Sequence, residues 1–342
     1  MKVSVATCYF PVNANIRRNG RYVLAQMRSA SQHGADVAHF PETALSGYAG
    51  TDFKSYRGFN WELLEATTRQ VHELARRLKL WVVLGSTHPL TGRHKPHDSV
   101  YVINDRGVLV DRYDKMFCSG DKDGRTGDLA HYSPGNHFTV FNIKSVRCGV
   151  LICYEYAFPE MYREYKRRGV RLVFHSFHAG HASRRRVEAM GREVGTKFHA
   201  LNKGSSYPEI RMPVSVQAAS TANHVWVSCS NTSARHSCFP SFFVRADGII
   251  TGRLNGIGLA CSSLPSTQNN GSTMAPSIGE IERCAVRFTA EPPCPTSGHM
   301  IERICDGSEI FDSSTLVDVC SMTQPSIRAA AGEPHGRQAA PR

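Results

Sequence analysis

The 342-residue sequence contains no apolar run long enough to cross a bilayer, so it predicts no membrane-spanning helix. Residues 1–6 lack the long apolar core of a secretory signal peptide and are typical of a first strand. The eleven cysteines show no paired spacing of the kind that holds a metal, and thiols stay reduced in the cytosol. We therefore expect a cytoplasmic protein without a membrane partner.

The basic clusters lack interleaved aromatic residues, although the formal net charge is +12. Proteins that stack nucleic-acid bases use such interleaving. The clusters are short, and at least two lie on predicted amphipathic helices, where a run of charge usually forms a solvated face. They are Arg17-Arg18, Arg76-Arg77, Lys166-Arg167-Arg168 and Arg184-Arg185-Arg186. Nucleic-acid binding is therefore not expected as a main function.

The composition, with 41% hydrophobic and 20% charged residues, is ordinary for a globular protein of one large or two modest domains. Helical periodicity predicts helices over 15–33 and 61–78, with Asn15 and Asn60 as their N-caps. Short apolar strands alternate with the helical patterns, whereas residues 99–110 have the signal of a hairpin. Because alternation and hairpins occur together, we expect an α/β protein with two mixed sheets faced by helices.

The character of the chain changes near residue 254. Residues 254–342 contain no Lys, Trp or Tyr, but hold eight of the seventeen prolines. They show no helical or strand periodicity beyond a few residues, which is typical of poor order. We therefore divide the chain into a domain of residues 1–253 and an atypical, disordered tail of residues 254–342, for which a shifted reading frame would account.

Three reactive side chains, Glu42, Lys115 and Cys153, each follow an apolar strand. Strands that end in polar residues are how α/β enzymes present catalytic groups at one edge of a sheet. A carboxylate, an ammonium and a thiol supply a general base, an oxyanion-stabilising cation and a nucleophile for acyl chemistry. Amides at the turn after Cys153 and a nearby cation would favour its thiolate.

Each of the three residues also has a simpler interpretation. Cys153 could be a buried structural thiol, as we expect for Cys8, Cys148 and Cys229. Lys115 could extend its amine to solvent, and Glu42 could be an exposed loop carboxylate or a helix cap. Only their combination favours catalysis.

The residues around this trio resemble those of the nitrilase, or carbon–nitrogen hydrolase, superfamily. Members carry Glu, Lys and Cys in this chain order and at approximately this spacing. The flanking sequences Phe-Pro-Glu, Tyr-Asp-Lys and Cys-Tyr-Glu also match, as do the later landmarks. These landmarks are Ser133-Pro134-Gly135, Asn223, Asn231 and Ala246-Asp247-Gly248. The resemblance covers residues 2 to about 253.

The resemblance implies an α-β-β-α sandwich and thiol-dependent hydrolysis of a non-peptide C–N bond. The substrate would be a small amide or carbamoyl compound, hydrolysed to a carboxylic acid plus ammonia or an amine without any cofactor. It also implies a homodimer or higher homo-oligomer. Tyr154, where true nitrilases usually have Trp, favours amides over nitriles. Two alternatives remain, a catalytically impaired relative acting as a binding or scaffold protein, and an acyltransferase that uses the same thioester.

Many superfamily members carry a further glutamate between the lysine and the cysteine, but this sequence has none there. Asp128 is the nearest acidic candidate for that role, and His131 competes for the position. The resemblance further implies that the backbone amide of Tyr154 binds the oxyanion and that Ser176 and Phe177 line the acyl pocket.

A metal site is a weaker interpretation of the segment that holds His175, His178 and His181. Zinc would require the backbone to fold three imidazoles onto one point, and their spacing does not clearly do so. No cysteine or carboxylate partner stands nearby in the sequence. We therefore predict no metal.

Overall fold

The computed structural model describes residues 3–180, 183–195, 204, 206–234 and 237–254 and the backbone of Arg287–Thr289. Within these residues, the strands form two six-stranded sheets. These residues all belong to one compact unit, Met1–Pro292. The strands are β1 (Ser4–Thr7), β2 (Val37–His39), β3 (Trp81–His88), β4 (His97–Ile103), β5 (Leu109–Asp114), β6 (Val140–Ile143), β7 (Val146–Ile152), β8 (Leu172–Ser176), β9 (Trp226–Ser230), β10 (Phe242–Val244), β11 (Ile250–Arg253) and β12 (Arg287–Thr289).

Helices flank the sheets in the order that the sequence predicts. In the described part of the chain they are α1 (Ile16–Gln32), α2 (Trp61–Leu78), α3 (Pro159–Arg167), α4 (Arg184–Val194) and α5 (Tyr207–Asn223). The N-caps are confirmed: the Asn15 side chain accepts from the Arg18 amide at 3.0 Å, and Asn60 accepts from the Leu63 amide at 2.8 Å. The helix α5 carries Pro213 inside it.

Both sheets are mixed, as predicted. The first has the order β12-β1-β2-β3-β4-β5, in which β1, β2 and β3 are parallel and the other pairings are antiparallel. The second has the order β11-β10-β9-β8-β7-β6, with β7, β8 and β9 parallel. The strand β4 runs opposite to β2 and β3, and β5 runs opposite to β4. The ends of β2 and β5 and the start of β4 therefore meet at one edge.

The core lies on both faces of each sheet. A strand that is packed on both faces, such as β3, is therefore apolar over almost its whole length. Successive strand residues face opposite sides, so Val83 packs between the sheets while Val82 and Leu84 pack beneath α1 and α2. On the far side of the second sheet, Tyr165 of α3 and Val216 of α5 complete the core. The chain is therefore an α-β-β-α sandwich. Cys8, Cys148 and Cys229 are fully buried, as expected.

A polar seam also joins the two sheets. The Ser176 hydroxyl donates to the Phe40 carbonyl at 3.0 Å and accepts from Nε2 of His39 at 3.0 Å. Nδ1 of the same imidazole accepts from Ser228 at 2.8 Å. Burial, with a contribution from His175, lowers the pKa of His39 well below its usual range, so this bridge is neutral.

The predicted tail, residues 254–342, lies outside the described residues except for Leu254 and β12. These three residues of β12 pair antiparallel with β1, and we did not expect a strand there. Within the described residues, no helix is both long enough and apolar enough to pass through a membrane.

Candidate active site

Glu42, Lys115 and Cys153 come together where the two sheets meet at their strand ends. Glu42 follows β2 and Lys115 follows β5, and Nζ of Lys115 lies 2.7 Å from Oε1 of Glu42. The Glu42 amide donates at 3.3 Å to the carbonyl of Phe177, which follows β8 in the other sheet. Gly85 of β3 permits the close approach of the Glu42 loop, since a Cβ there would lie 1.9 Å from the Pro41 carbonyl oxygen.

Lys115 is a buried ammonium surrounded by carboxylates. Its side chain is 1% exposed, which excludes the interpretation that it extends to solvent. Nζ contacts Glu42 at 2.7 Å, Oδ2 of Asp128 at 2.9 Å and Oδ2 of Asp98 at 3.4 Å. Burial alone would lower the pKa of Lys115, but the negative charges of Glu42 and Asp128 outweigh it and raise the pKa well above its usual range. The amine therefore stays charged.

Cys153 occupies the first position of a 3₁₀ turn, Cys153–Ala157, directly after β7. Its φ of 40° is in the left-handed region, which costs a non-glycine residue on the order of 1 kcal/mol or more. His175 holds the turn, because its Nε2–H donates to the Cys153 carbonyl at 3.2 Å while Nδ1 accepts from Tyr162 at 2.6 Å. Cys153 is partly exposed as a residue, although burial dominates the surroundings of its thiol.

The protonation state of Cys153 differs from our prediction. Burial and the negative charge of Glu42 raise the pKa of the thiol well above its usual range, and Lys115 and the backbone amide of His178 offset this only in part. The expected preference for the thiolate is therefore wrong for the resting protein. A neutral thiol must lose its proton when it attacks, which calls for a base beside it.

Glu155 ties the turn of Cys153 to the segment after Lys115. Its Oε2 accepts from the Ile152 amide at 2.7 Å, and its Oε1 accepts from the Tyr113 hydroxyl at 2.7 Å and the Met116 amide at 2.8 Å. Burial raises the pKa of this carboxyl to about 7, although the hydrogen bonds oppose the rise. Glu155 belongs to the Cys-Tyr-Glu motif, but the sequence does not show that its carboxylate links the Cys153 turn to the segment after Lys115.

Asp128 lies against Lys115, as the missing-glutamate hypothesis requires, at the start of the 3₁₀ turn Asp128–Ala130. Its Oδ2 also accepts from the Ser119 amide at 2.9 Å, and its Oδ1 accepts from the Tyr48 hydroxyl. Burial favours the neutral acid, but the Lys115 charge and these hydrogen bonds outweigh it and lower the pKa of Asp128. The competing residue, His131, packs instead against Gly50.

The other three candidates lie in different environments. Tyr154 is 38% exposed and packs its ring edge-on against Phe158. Phe177 is fully buried and stacks on His175 with ring centroids 4.2 Å apart, so its backbone rather than its ring serves Glu42. The Ser176 hydroxyl is engaged in the seam between the sheets.

The histidines have structural contacts instead of a common centre. Burial lowers the pKa of His175 to about 3, so it is neutral. His178 stacks on Tyr48 at 5.0 Å, and its Nε2 lies 3.0 Å from Oδ2 of Asp52. His181 lies outside the described residues. Among the residues that the structure does describe, no group of three His, Cys, Asp or Glu side chains could hold a metal ion.

Asp98 and Tyr48 are the site residues that sequence reasoning missed. Asp98 belongs to β4, which runs opposite to β2 and β5, so its beginning lies where theirs end. Only the pairing of the strands shows this. Tyr48 follows Glu42 in the same loop, and its distance along the chain from Asp128 hid their contact.

The chain is similar in sequence to a known family and to curated proteins. The family model described as Carbon-nitrogen hydrolase matches residues 4–256. The chain is 30% identical over 167 residues to a deaminated glutathione amidase of Yersinia enterocolitica, covering 46% of this chain and 57% of that protein. It is 27% identical over 150 residues to omega-amidase NIT2 of Homo sapiens, covering 43% of this chain and 53% of that protein. It thus spans about half the length of these curated relatives.

Among solved structures, the fold resembles a glutamate-to-glutamine variant of the amidase from Nesterenkonia sp. AN1. The TM-score is 0.58 at 18% identity, and the match covers 76% of this chain and 88% of that chain. In that crystal structure the acetamide moiety of fluoroacetamide is covalently added at the active-site cysteine.

Proposed function

Since the chain belongs to the carbon–nitrogen hydrolase family, within the nitrilase superfamily, we propose that it hydrolyses a non-peptide C–N bond of a small amide or carbamoyl compound. The products are a carboxylic acid and ammonia or an amine. The observation that carries the proposal is the 2.7 Å contact between Glu42 and Lys115 at the strand ends where the partly exposed Cys153 lies.

Acylation begins with proton transfer. Because the resting Cys153 is a neutral thiol, Glu42 takes its proton as the sulfur attacks the carbonyl carbon. Lys115 stabilises the oxyanion, together with the backbone amide of Tyr154. Glu42 then returns the proton to the leaving nitrogen as the C–N bond breaks, which leaves a thioester on Cys153.

Hydrolysis of the thioester uses the same groups. Glu42 takes a proton from water, whose oxygen attacks the thioester carbonyl, and the thiol leaves with that proton while the acid departs. Lys115 remains charged throughout, since the Asp128 carboxylate contacts it even while Glu42 carries the proton. Asp128 takes the place of the missing glutamate by holding the ammonium from a second side, and no cofactor participates.

The substrate class rests on two observations. Tyr154 follows the nucleophile, and the relatives named above include an amidase of deaminated glutathione and an omega-amidase. Both favour an amide over a nitrile. Tyr154 is the side chain that we assign to the acyl pocket, whereas Phe177 contributes its backbone carbonyl to the Glu42 loop and the Ser176 hydroxyl acts in the seam.

We further assign the protein to the cytoplasm and to a homo-oligomer. Phe117 and Tyr154 both pack on Phe158 while staying 41% and 38% exposed, and an exposed aromatic cluster is typical of an interface. Light scattering on the purified chain should give at least twice the monomer mass, and a monomeric mass at all concentrations would contradict the assignment.

The function is tested by measuring ammonia release from small amides, carbamoyl amino acids and nitriles. Native protein should release ammonia from at least one amide or carbamoyl compound, and Cys153→Ala should not. Cys238→Ala is the matched control, since Cys238 is also a partly exposed free cysteine. Added amine acceptors would yield new amides if the thioester passes to nitrogen, which would make the protein an acyltransferase.

The binding-protein alternative is tested by alkylation. Fluoroacetamide should label the peptide containing Cys153 faster than the one containing Cys238. Equal rates, together with no release from any substrate, would contradict the proposed hydrolase.

A further inference from the structure

Asp98 is a fully buried carboxyl group to which the proposed reaction assigns no role. Its backbone carbonyl accepts from the Lys115 amide at 2.9 Å, and its Oδ2 lies 3.4 Å from Nζ of Lys115. Its side chain also neighbours that of Glu42, close enough for a hydrogen bond if one of the two carboxyl groups carries a proton. Asp98 therefore touches the proposed base and the proposed oxyanion-binding cation together.

The charges of this cluster do not balance if every acid is ionised. Glu42, Asp98 and Asp128 would carry three negative charges around the single positive charge of Lys115. All four side chains are at most 2% exposed. Uncompensated charge is costly in such an interior, and acids there take up protons instead.

Two oxygen atoms show where a proton fits. Oε2 of Glu42 and Oδ1 of Asp98 are buried and have no hydrogen-bond partner within the described part of the chain. Two ionised carboxylates can only accept, so neither can satisfy the other. One proton between these neighbouring side chains turns a repulsive contact into a hydrogen bond.

We propose that Asp98 is held in its neutral form and donates a hydrogen bond to Glu42, acting as a positioning residue for the base. Its part in the reaction rests on the proposed function, whereas its protonation does not. Glu42 is then held on one side by the Lys115 ammonium and on the other by the Asp98 hydroxyl. This orients the carboxylate without neutralising it.

The surroundings of the three acids assign the proton to Asp98. Asp128 has three donors, Lys115, Tyr48 and the Ser119 amide, which keep it ionised. Glu42 is closer to the ammonium than Asp98 is, at 2.7 Å against 3.4 Å. Burial raises the pKa of Asp98 well above its usual range, and the charge of Glu42 adds to the rise while Lys115 opposes it.

The remaining titratable groups around Asp98 do not compete for this role. They are Tyr48, Tyr56, Tyr132 and Cys118, which lie in loops packed against the start of β4, and burial raises the pKa of each, so all four are neutral. None of them is an acid that could surrender its proton to Glu42 near neutral pH.

The first test measures protonation through folding, independently of activity. Native protein, Asp98→Asn and the surface control Asp111→Asn are unfolded with urea between pH 5 and pH 7. A proton bound only in the folded state makes the unfolding equilibrium constant rise about tenfold per pH unit. We expect this rise in the native and Asp111→Asn proteins relative to Asp98→Asn. Glu155, whose pKa is also raised, contributes to all three proteins and cancels in the difference.

Parallel stability curves for native protein and Asp98→Asn would overturn the proposal, because they would mean that Asp98 is ionised. This result is distinct from failure of the proposed function, which would show as absence of turnover in the native protein.

The second test uses kinetics on the substrate found by ammonia release. Asp98→Leu removes the donor and should lower kcat roughly 10- to 100-fold with little change in KM, the usual effect of losing a hydrogen bond to a charged group. Asp98→Asn supplies an N–H donor in place of the hydroxyl, so it should restore most of that loss and extend activity to higher pH. An Asn variant as impaired as the Leu variant would overturn the positioning role.

Discussion

Replacing Lys115 by methionine should damage both the reaction and the fold. The side chain keeps its length but loses the ammonium that contacts Glu42, Asp98 and Asp128. Removing one partner of a buried ion pair typically costs about 3–5 kcal/mol, because the remaining charge is left uncompensated. We expect the free energy of unfolding at pH 7 to fall by about this amount. Turnover should fall by on the order of 10²- to 10³-fold through the lost oxyanion contact.

The pH dependence of this loss can be worked out from Asp128. Its folded pKa is lowered, so its ionisation contributes stability above its unfolded pKa of about 3.9, and that stability disappears as the pH falls through the folded value. Without Lys115 this contribution is absent, and the pKa values of Glu42, Asp98 and Asp128 rise. The folded variant then loses stability as the pH rises and these acids ionise. The deficit of Lys115→Met should therefore be large at pH 7 and smaller at pH 5 in urea unfolding.

Lys144→Met is the matched control for this measurement. Lys144 also contacts a carboxylate, Oδ1 of Asp36 at 2.8 Å, but its side chain is 43% exposed. Exposed pairs contribute about 0–1 kcal/mol. If Lys115→Met loses no more stability than Lys144→Met, or if its turnover falls less than tenfold, the argument from the buried ammonium is refuted.

Two further substitutions test the groups around the triad. Asp128→Asn keeps a partner for Tyr48 but removes the charge beside Lys115, so kcat/KM should fall roughly 10- to 100-fold; unchanged kcat and KM would contradict its assignment as the substitute glutamate. Glu155→Gln loses an acceptor for the buried Ile152 or Met116 amide, so the free energy of unfolding should fall by about 1–3 kcal/mol. The control is Glu164→Gln at a half-buried surface residue, which should cost less than about 1 kcal/mol. Because the folded pKa of Glu155 is about 7 and its unfolded pKa about 4.3, the stability it contributes is lost as pH rises through 7, and Glu155→Gln should remove that slope.

Two mixed sheets and the strand ends that carry the three residues could be predicted because both depend on local patterns, whereas the α-β-β-α order of the layers was implied by the family resemblance. Apolar runs such as residues 146–152 define buried strands, and Asn15 and Asn60 mark helix starts. The residue that follows each strand is then placed at the sheet edge by the geometry of the strand itself.

What the sequence did not disclose depends on neighbours in space. Asp98 reaches Lys115 only because β4 pairs antiparallel between β3 and β5. The direction of the Cys153 pKa depends on how deeply the thiol is buried beside Glu42, which no local pattern records. Ser176 lies at a strand end, as predicted, but its hydroxyl is fixed by His39 of the other sheet.

The central claim is that Cys153 carries the acyl group during turnover. The direct measurement is peptide mass spectrometry on protein quenched with acid while it turns over an amide found by ammonia release. We expect the acyl mass on the peptide containing Cys153, its loss on treatment with hydroxylamine, and its absence from Cys153→Ala. Product formation without an adduct on Cys153, or turnover of more than a few per cent by Cys153→Ala, would contradict the claim.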